Sequence, residues 1–267
     1  MRTLNSLFND SVEKYKDNVC LLENQGKGYE PATYQEARNE VHRFAAGLLS
    51  LGIRKGDCLA LLSEGRNKWL YSEMGILYTG AVNVPLSTRL EESSEIKFRL
   101  EHSGSRMLII SGKEAHKITS LKKEIDSLEK VIYLDPRDSY GDDELFFDDV
   151  SKMGDEYLRE NAFEFEKRWK SIREDDYANI CYTSGTTADP KGIILTHRNY
   201  TANVEQSRSV MPIPEWYTIL LYLPWDHAFA HTAGLYTVIS AGATLASVQL
   251  AKTQTEAIKN FSKNIRK

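Results

Sequence analysis

Apolar positions recur along this chain in two rhythms that take turns. Near the start, Leu4, Leu7, Phe8, Val12 and Tyr15 keep the spacing of one helix face. Apolar runs of strand length follow at 19–23, 58–63, 81–85, 107–111 and 130–134. Between them lie stretches of helical period with start and stop signals. Thr33 and Glu36 form a capping box, Ala37, Val41, Phe44, Ala45, Leu48 and Leu49 build one apolar face, and Gly52 stands where a left-handed C-cap belongs. Further helices are expected over 67–78 and 92–101, the second followed by a turn at 102–106. Strand, helix, strand at this rhythm predicts βαβ units: an α/β fold, its largely parallel sheet flanked by helices.

The rhythm is interrupted over 135–170. DPRDSYGDDELFF reads as a surface excursion and 163–169 as a short amphipathic helix, an elaboration on one domain. Regular alternation resumes with a strand at 177–183. From Ala228 to Ala251 there is no Lys, Arg, Asp or Glu, but His231, Gln249 and several Ser, Thr and Gly fit a buried helix and strand better than a membrane span.

Composition narrows the classes. The 267 residues carry 34 Lys+Arg against 38 Asp+Glu, a net charge of −4, which provides no electrostatic footprint for nucleic acid. Cys20, Cys58 and Cys181 lie far apart without a CxxC pair, which argues against a disulfide framework or a structural zinc site and for a cytoplasmic location. Asp10 and Glu13 interrupt the region where a secretory signal would need an apolar core.

The chemistry concentrates in 180–199, ICYTSGTTADPKGIILTHRN. A strand runs into Thr183, Ser184, Gly185, Thr186 and Thr187, then Ala188-Asp189-Pro190-Lys191-Gly192; a second short strand (193–195) and the helix N-cap Thr196 follow. Four hydroxyls and a glycine in five residues let backbone and side-chain donors wrap an anion, and Lys191 adds a point charge suited to phosphate. The spacing is not that of a Walker A loop, since Pro190 and Gly192 stand where that template needs Gly and Ser or Thr. An ordinary Ser/Thr-rich hairpin is the plain alternative.

YTSGTTADPKG closely resembles the signature loop Tyr-Thr-Ser-Gly-Thr-Thr-Gly-x-Pro-Lys-Gly of the adenylate-forming (AMP-binding) superfamily, with Ala188 in place of the last glycine of its Ser-Gly-Thr-Thr-Gly run. The stretch from Leu223 through Pro224, Trp225, Asp226 and His227 resembles the family's Leu-Pro-x-x-His motif, and GAVNVPL resembles part of its opening. The surroundings of His227 are most similar to long-chain fatty-acyl-CoA synthetases.

The resemblance implies activation of a carboxylate by ATP, then transfer of the acyl group to coenzyme A. It implies that Ser184, Gly185, Thr186, Thr187 and Lys191 cradle the β- and γ-phosphates, Lys191 as the catalytic group. Thr183 would help hold Mg²⁺, and Trp225 and His227 would line the acyl pocket. The implied partners are a fatty acid, ATP and coenzyme A, with room for peripheral membrane contact and a homodimer. The family's Gly-Tyr-Gly-x-Thr-Glu motif, ribose-binding Asp and C-terminal lid have no counterpart in residues 1–267. The chain is therefore expected to be the N-terminal portion of the adenylation domain and inactive alone. A non-catalytic nucleotide-binding or assembly module of the same descent is the alternative.

Other candidates carry blander readings. His227 and His231, four apart, lack the glutamate of a zincin pair; His231 is expected to pack in the core. His197 is expected to order the start of its own helix, Asp175 and Asp176 to be solvated in a polar turn, and Ser184 to be no hydrolase nucleophile, lacking GxSxG. The basic stretch 255–267 is expected to be helical.

Overall fold

The computed structural model describes residues 2–24, 28–183, 190–248 and 260. Seven α-helices and eleven strands, the strands in two sheets, are found among them. Helix α1 (Leu4–Tyr15) leads into the hairpin β1 (Val19–Asn24) and β2 (Tyr29–Thr33), then α2 (Tyr34–Ser50). Next come β3 (Cys58–Leu62), α3 (Asn67–Thr79), β4 (Val82–Leu86), α4 (Ser93–Ser103), β5 (Ser105–Ile110), β6 (Lys130–Tyr133) and β7 (Glu144–Phe146). The rest is α5 (Phe147–Lys170), β8 (Tyr177–Thr183), β9 (Lys191–Thr196), α6 (His197–Val210), β10 (Thr218–Leu221), a π-helical segment (Ala230–Tyr236), α7 (Thr237–Ala241) and β11 (Thr244–Ser247).

The larger sheet has the order β7-β6-β5-β3-β4-β8-β9 and is parallel except for the β8–β9 hairpin. The smaller has the order β10-β11-β1-β2, parallel except for β1–β2. Successive side chains of a strand point to opposite faces. Accordingly Leu59, Leu61, Met107 and Ile109 enter the main core, while Ala60, Leu62, Leu108 and Ile110 enter a second core on the other face. Both faces are covered, so β3 reads as a continuous apolar run rather than an alternating one.

Helix α3 is buried all round: every residue from Trp69 to Thr79 is buried. Its first turn is held by Glu23 of β1, whose Oε2 accepts from the Asn67 N–H at 2.8 Å. The expected capping box is present, with Thr33 Oγ1 accepting from Glu36 N and Glu36 Oε2 from Thr33 N. Gly52 has φ +85°, as its C-terminal position requires. The uncharged stretch after Ala228 forms the buried helical segments and strand it predicted. No helix among the described residues is long and apolar enough to cross a membrane.

Two expectations change. The stretch 135–170 is no mere surface excursion with a short helix: it supplies edge strand β7 and the 24-residue α5, kinked at Asn161. Helix α5 lies against α2 where each is narrowest. A Cβ on Gly154 would overlap the Arg43 carbonyl and stand 2.8 Å from Gly47 N, and one on Gly47 would stand 2.8 Å from Val150 Cγ1. Beside the crossing, Phe44 and Phe147 stack at 4.3 Å and Arg43 grips Asp155 through two hydrogen bonds of 2.9 and 2.8 Å. Strand β2 was not expected either. It contains Pro31, tolerated because β2 is the edge strand of its sheet among the described residues.

Candidate active site

The strands on either side of the signature stretch form an antiparallel hairpin. Strands β8 and β9 pair from Tyr177↔Thr196 up to Thr183↔Lys191, so Thr183 and Lys191 stand opposite each other where the hairpin opens. Both are exposed. Ser184, Gly185, Thr186, Thr187 and Ala188 lie outside the described residues, as does 255–267 apart from Asn260. At the far end of the hairpin, Thr196 caps α6 through a box with Asn199, as its position predicted.

Alternation along β8 sends its side chains to two environments. Tyr182 turns toward α4, where its hydroxyl meets His102 Nδ1 at 2.8 Å and donates to the Arg99 carbonyl at 3.3 Å. Asn179 turns the other way into a buried polar cluster. Its Nδ2 lies 3.1 Å from Glu73 Oε1, 3.0 Å from the Tyr200 hydroxyl and 3.2 Å from His231 Nδ1. Glu73 Oε1 also accepts from Tyr236 at 2.8 Å and from Asn83 at 3.4 Å. Tyr200 reaches His231 Nδ1 at 3.1 Å, and with that hydroxyl donating, the ring's Nε2 faces Glu73 Oε1 at 3.7 Å. Burial pushes the Tyr200 and Tyr236 hydroxyls well above the usual tyrosine range, the Glu73 carboxyl adding to the shift. Burial likewise pushes the Cys181 thiol up to about 12, making it a poor nucleophile.

Trp225 and His227 lie on a separate segment. Trp225 is buried edge-on against Trp69, ring centroids 5.6 Å apart, and a Cβ on Gly65 would strike its indole. His227 is exposed; its Nδ1 accepts from Phe229 N at 3.2 Å. No hydrogen bond or ring contact among the described residues joins either to Thr183 or Lys191. The link between the two halves runs through Trp69, His231 and Asn179.

The segment after His227 is π-helical, its widened turn closed by Thr237, whose hydroxyl donates to the Thr232 carbonyl at 2.6 Å. Such turns concentrate at functional sites. His231 is fully buried, and no group of three or more His, Cys, Asp or Glu among the described residues could hold a metal. His197 begins α6, but its Nδ1 accepts from the Leu4 N–H at 3.2 Å, so it fastens α1 rather than its own helix. Asp175 and Asp176 are ion-paired, with Arg198 and Lys55, rather than simply solvated.

Residues 8–266 match the model of the AMP-binding enzyme family. The chain belongs to that family. It is 31% identical over 255 residues to a chloroplastic long-chain-fatty-acid–[acyl-carrier-protein] ligase of Arabidopsis thaliana, covering 88% of this chain and 34% of the relative. It is 28% identical over 248 residues to the peroxisomal long chain acyl-CoA synthetase 7 of the same plant, covering 90% and 35%. The fold matches an anthranilate CoA ligase solved with anthranoyl-AMP, with TM-score 0.81 and 20% identity over 98% of this chain and 48% of the other. It also matches the N-terminal domain of FACL13 from Mycobacterium tuberculosis, with TM-score 0.74 and 23% identity over 99% and 61%. This family member spans about a third of the length of the curated relatives it matches.

Glu73 was missed from the sequence, although a signal was there: it is the one charge within the wholly buried run 69–79 of α3. Asn83, Asn179, Tyr200 and Tyr236 gave no such signal.

Proposed function

We propose that this chain is the N-terminal portion of the adenylation domain of a long-chain fatty acid–CoA ligase. The observation that carries this reading is the hairpin register, which sets Lys191 across from Thr183 at the mouth of a Ser/Thr/Gly loop. Ser184, Gly185, Thr186, Thr187 and Lys191 bind the β- and γ-phosphates of ATP, and the Thr183 hydroxyl would help hold a Mg²⁺ that neutralises phosphate charge. A magnesium ion that keeps its waters and leans on substrate phosphates needs few protein ligands. A carboxylate oxygen of the fatty acid attacks the α-phosphorus, the bond to the bridging oxygen breaks, and pyrophosphate leaves with its charge matched by Lys191. The sulfur of coenzyme A, as the thiol gives up its proton to solvent, then attacks the acyl carbonyl carbon, the bond from that carbon to the phosphate oxygen breaks, and AMP departs. Clamps of this kind act by placing reactants and stabilising developing charge. Trp225 and His227 belong to the wall beside the acyl chain.

In this reading, segments outside residues 1–267 supply the adenine, ribose and lid contacts, and residues 1–267 alone do not turn over. The edge strands support it. Among the described residues β9 and β10 are the outer strands of their sheets, and Ile193 and Ile194 on β9 and Trp216 and Tyr217 before β10 are exposed, which suits faces that further chain would cover. The test is ATP- and coenzyme A-dependent thioester formation by the full-length protein with carboxylates from acetate to hexadecanoate. Hexadecanoyl-CoA as the preferred product supports the reading; no thioester with any of them refutes it.

A further inference from the structure

We propose that Glu73 is a positioning residue for the adenylation step, locking the hairpin that carries Thr183 and Lys191 to the segment that carries Trp225 and His227. This rests on the roles given to those residues above.

Helix α3 presents Trp69 and Glu73, four apart and therefore on one face. Trp69 touches the second segment, its ring centroid 5.6 Å from that of Trp225 and 5.4 Å from that of His231. One turn on, Glu73 Oε1 grips both halves at once: Asn179 of β8 at 3.1 Å and Tyr236, the last residue of the π-helical segment, at 2.8 Å. Asn83 of β4, in register beside Asn179, reaches the same oxygen at 3.4 Å. Tyr200 of α6 closes the ring, bridging Asn179 and His231 at 3.0 and 3.1 Å. The ring therefore ties α3, β4, β8, α6 and the π-helical segment through fully buried carboxyl, amide and imidazole groups.

Stability is a poor explanation for such a cluster. A whole buried ionic network can often be replaced by apolar residues of similar volume without loss of stability, although removing one member alone is costly. Here Glu73 Oε2, Asn83 Oδ1, Asn179 Oδ1 and His231 Nε2 have no hydrogen-bond partner among the described residues. What the cluster does provide is direction: each bond fixes one element at a set distance from α3. Asn179 is four residues from Thr183, about 13 Å along a strand. A small rotation at the ring therefore displaces Thr183 and Lys191 relative to Trp225 and His227, and 1 Å of misplacement between reactants can cost about 100-fold in rate.

The test uses the full-length enzyme, with ATP–pyrophosphate exchange driven by hexadecanoate and rates expressed per active site by a single-turnover burst, so that loss of folded protein does not count. Glu73→Leu is expected to lower exchange kcat about tenfold or more, while KM for ATP changes less than about threefold. Glu73→Gln, which keeps the accepting oxygen, restores most of it. Tyr236→Phe deletes one hydroxyl, keeps the ring and lowers kcat by about threefold or more; it decides the matter if Glu73→Leu does not fold. Wild-type kcat in folded Glu73→Leu or in Tyr236→Phe overturns the proposal. Lys191→Ala, run in parallel, separates the two levels. If it alone impairs exchange, only the role of Glu73 fails; if it too has no effect, the reading of the loop fails and the proposal with it.

Discussion

Gly154→Ala tests the least forgiving contact in the fold. The added methyl would overlap the Arg43 carbonyl oxygen, standing 2.7 Å from that carbonyl's carbon and 2.8 Å from Gly47 N. All three are backbone atoms of α2, so no rotamer change can make room and the helices must part. Parting them loosens the Phe44–Phe147 stack at 4.3 Å and the paired hydrogen bonds from Arg43 to Asp155. Overpacking a tight contact typically costs about 1–3 kcal/mol, and more where nothing can yield. Alanine's better helix propensity returns about 1 kcal/mol. Taken from the upper part of that range, the net expectation is a loss of about 1–2 kcal/mol, or a melting temperature lower by roughly 2–8 °C for a domain of this size. Thermal unfolding by circular dichroism reads it directly. Gly141→Ala, whose new methyl would meet nothing closer than 3.4 Å, is the control and is expected to stay within about 0.5 kcal/mol. A Gly154→Ala protein as stable as wild type, or stabilised by the propensity gain, would show that α2 and α5 do not cross backbone to backbone.

Three further outcomes follow from single groups. Thr33→Ala removes the hydroxyl that accepts from Glu36 N and is expected to cost about 1 kcal/mol in chemical denaturation; an unchanged midpoint contradicts the cap. Burial holds His42 and His197 down from 6.5 to about 4, so both bind protons in the unfolded chain before the folded one. The stability they confer is complete above about pH 6.5 and disappears as pH falls toward 4, each contributing about 2 kcal/mol of loss between pH 7 and 5. His42→Leu should remove about half of that joint acid sensitivity, and an identical pH profile in the variant contradicts the burial argument.

The parts of the fold that could be read from the chain are those where one local signal suffices. The capping box at Thr33, the period of α2, the left-handed turn at Gly52 and the apolar runs of β3 and β5 each follow from neighbours in sequence. Strands β2 and β7 could not be read, because YEPAT and ELF become strands only by pairing at a sheet edge. Helix α5 was shortened to its last turns because its early turns are acidic outside and meet α2 through Gly154, which a periodicity count scores as a weak helix position. At the site, the Ser/Thr/Gly-rich stretch announces itself by composition and Thr196 by its capping residue. The ring around Glu73 does not, since its members come from five elements and meet only when the sheets are assembled. His197 shows the same limit: its partner, the Leu4 N–H, lies 193 residues away.

The central claim is that the 183–191 loop holds the polyphosphate of ATP, with Lys191 as its charge. The most direct measurement is hexadecanoate-dependent ATP–pyrophosphate exchange by the full-length protein and its Lys191→Ala variant, each verified as folded. Removal of one preorganised charge-stabilising group predicts a fall of about 10²–10³ in exchange rate. Equal exchange by the two proteins would contradict the claim.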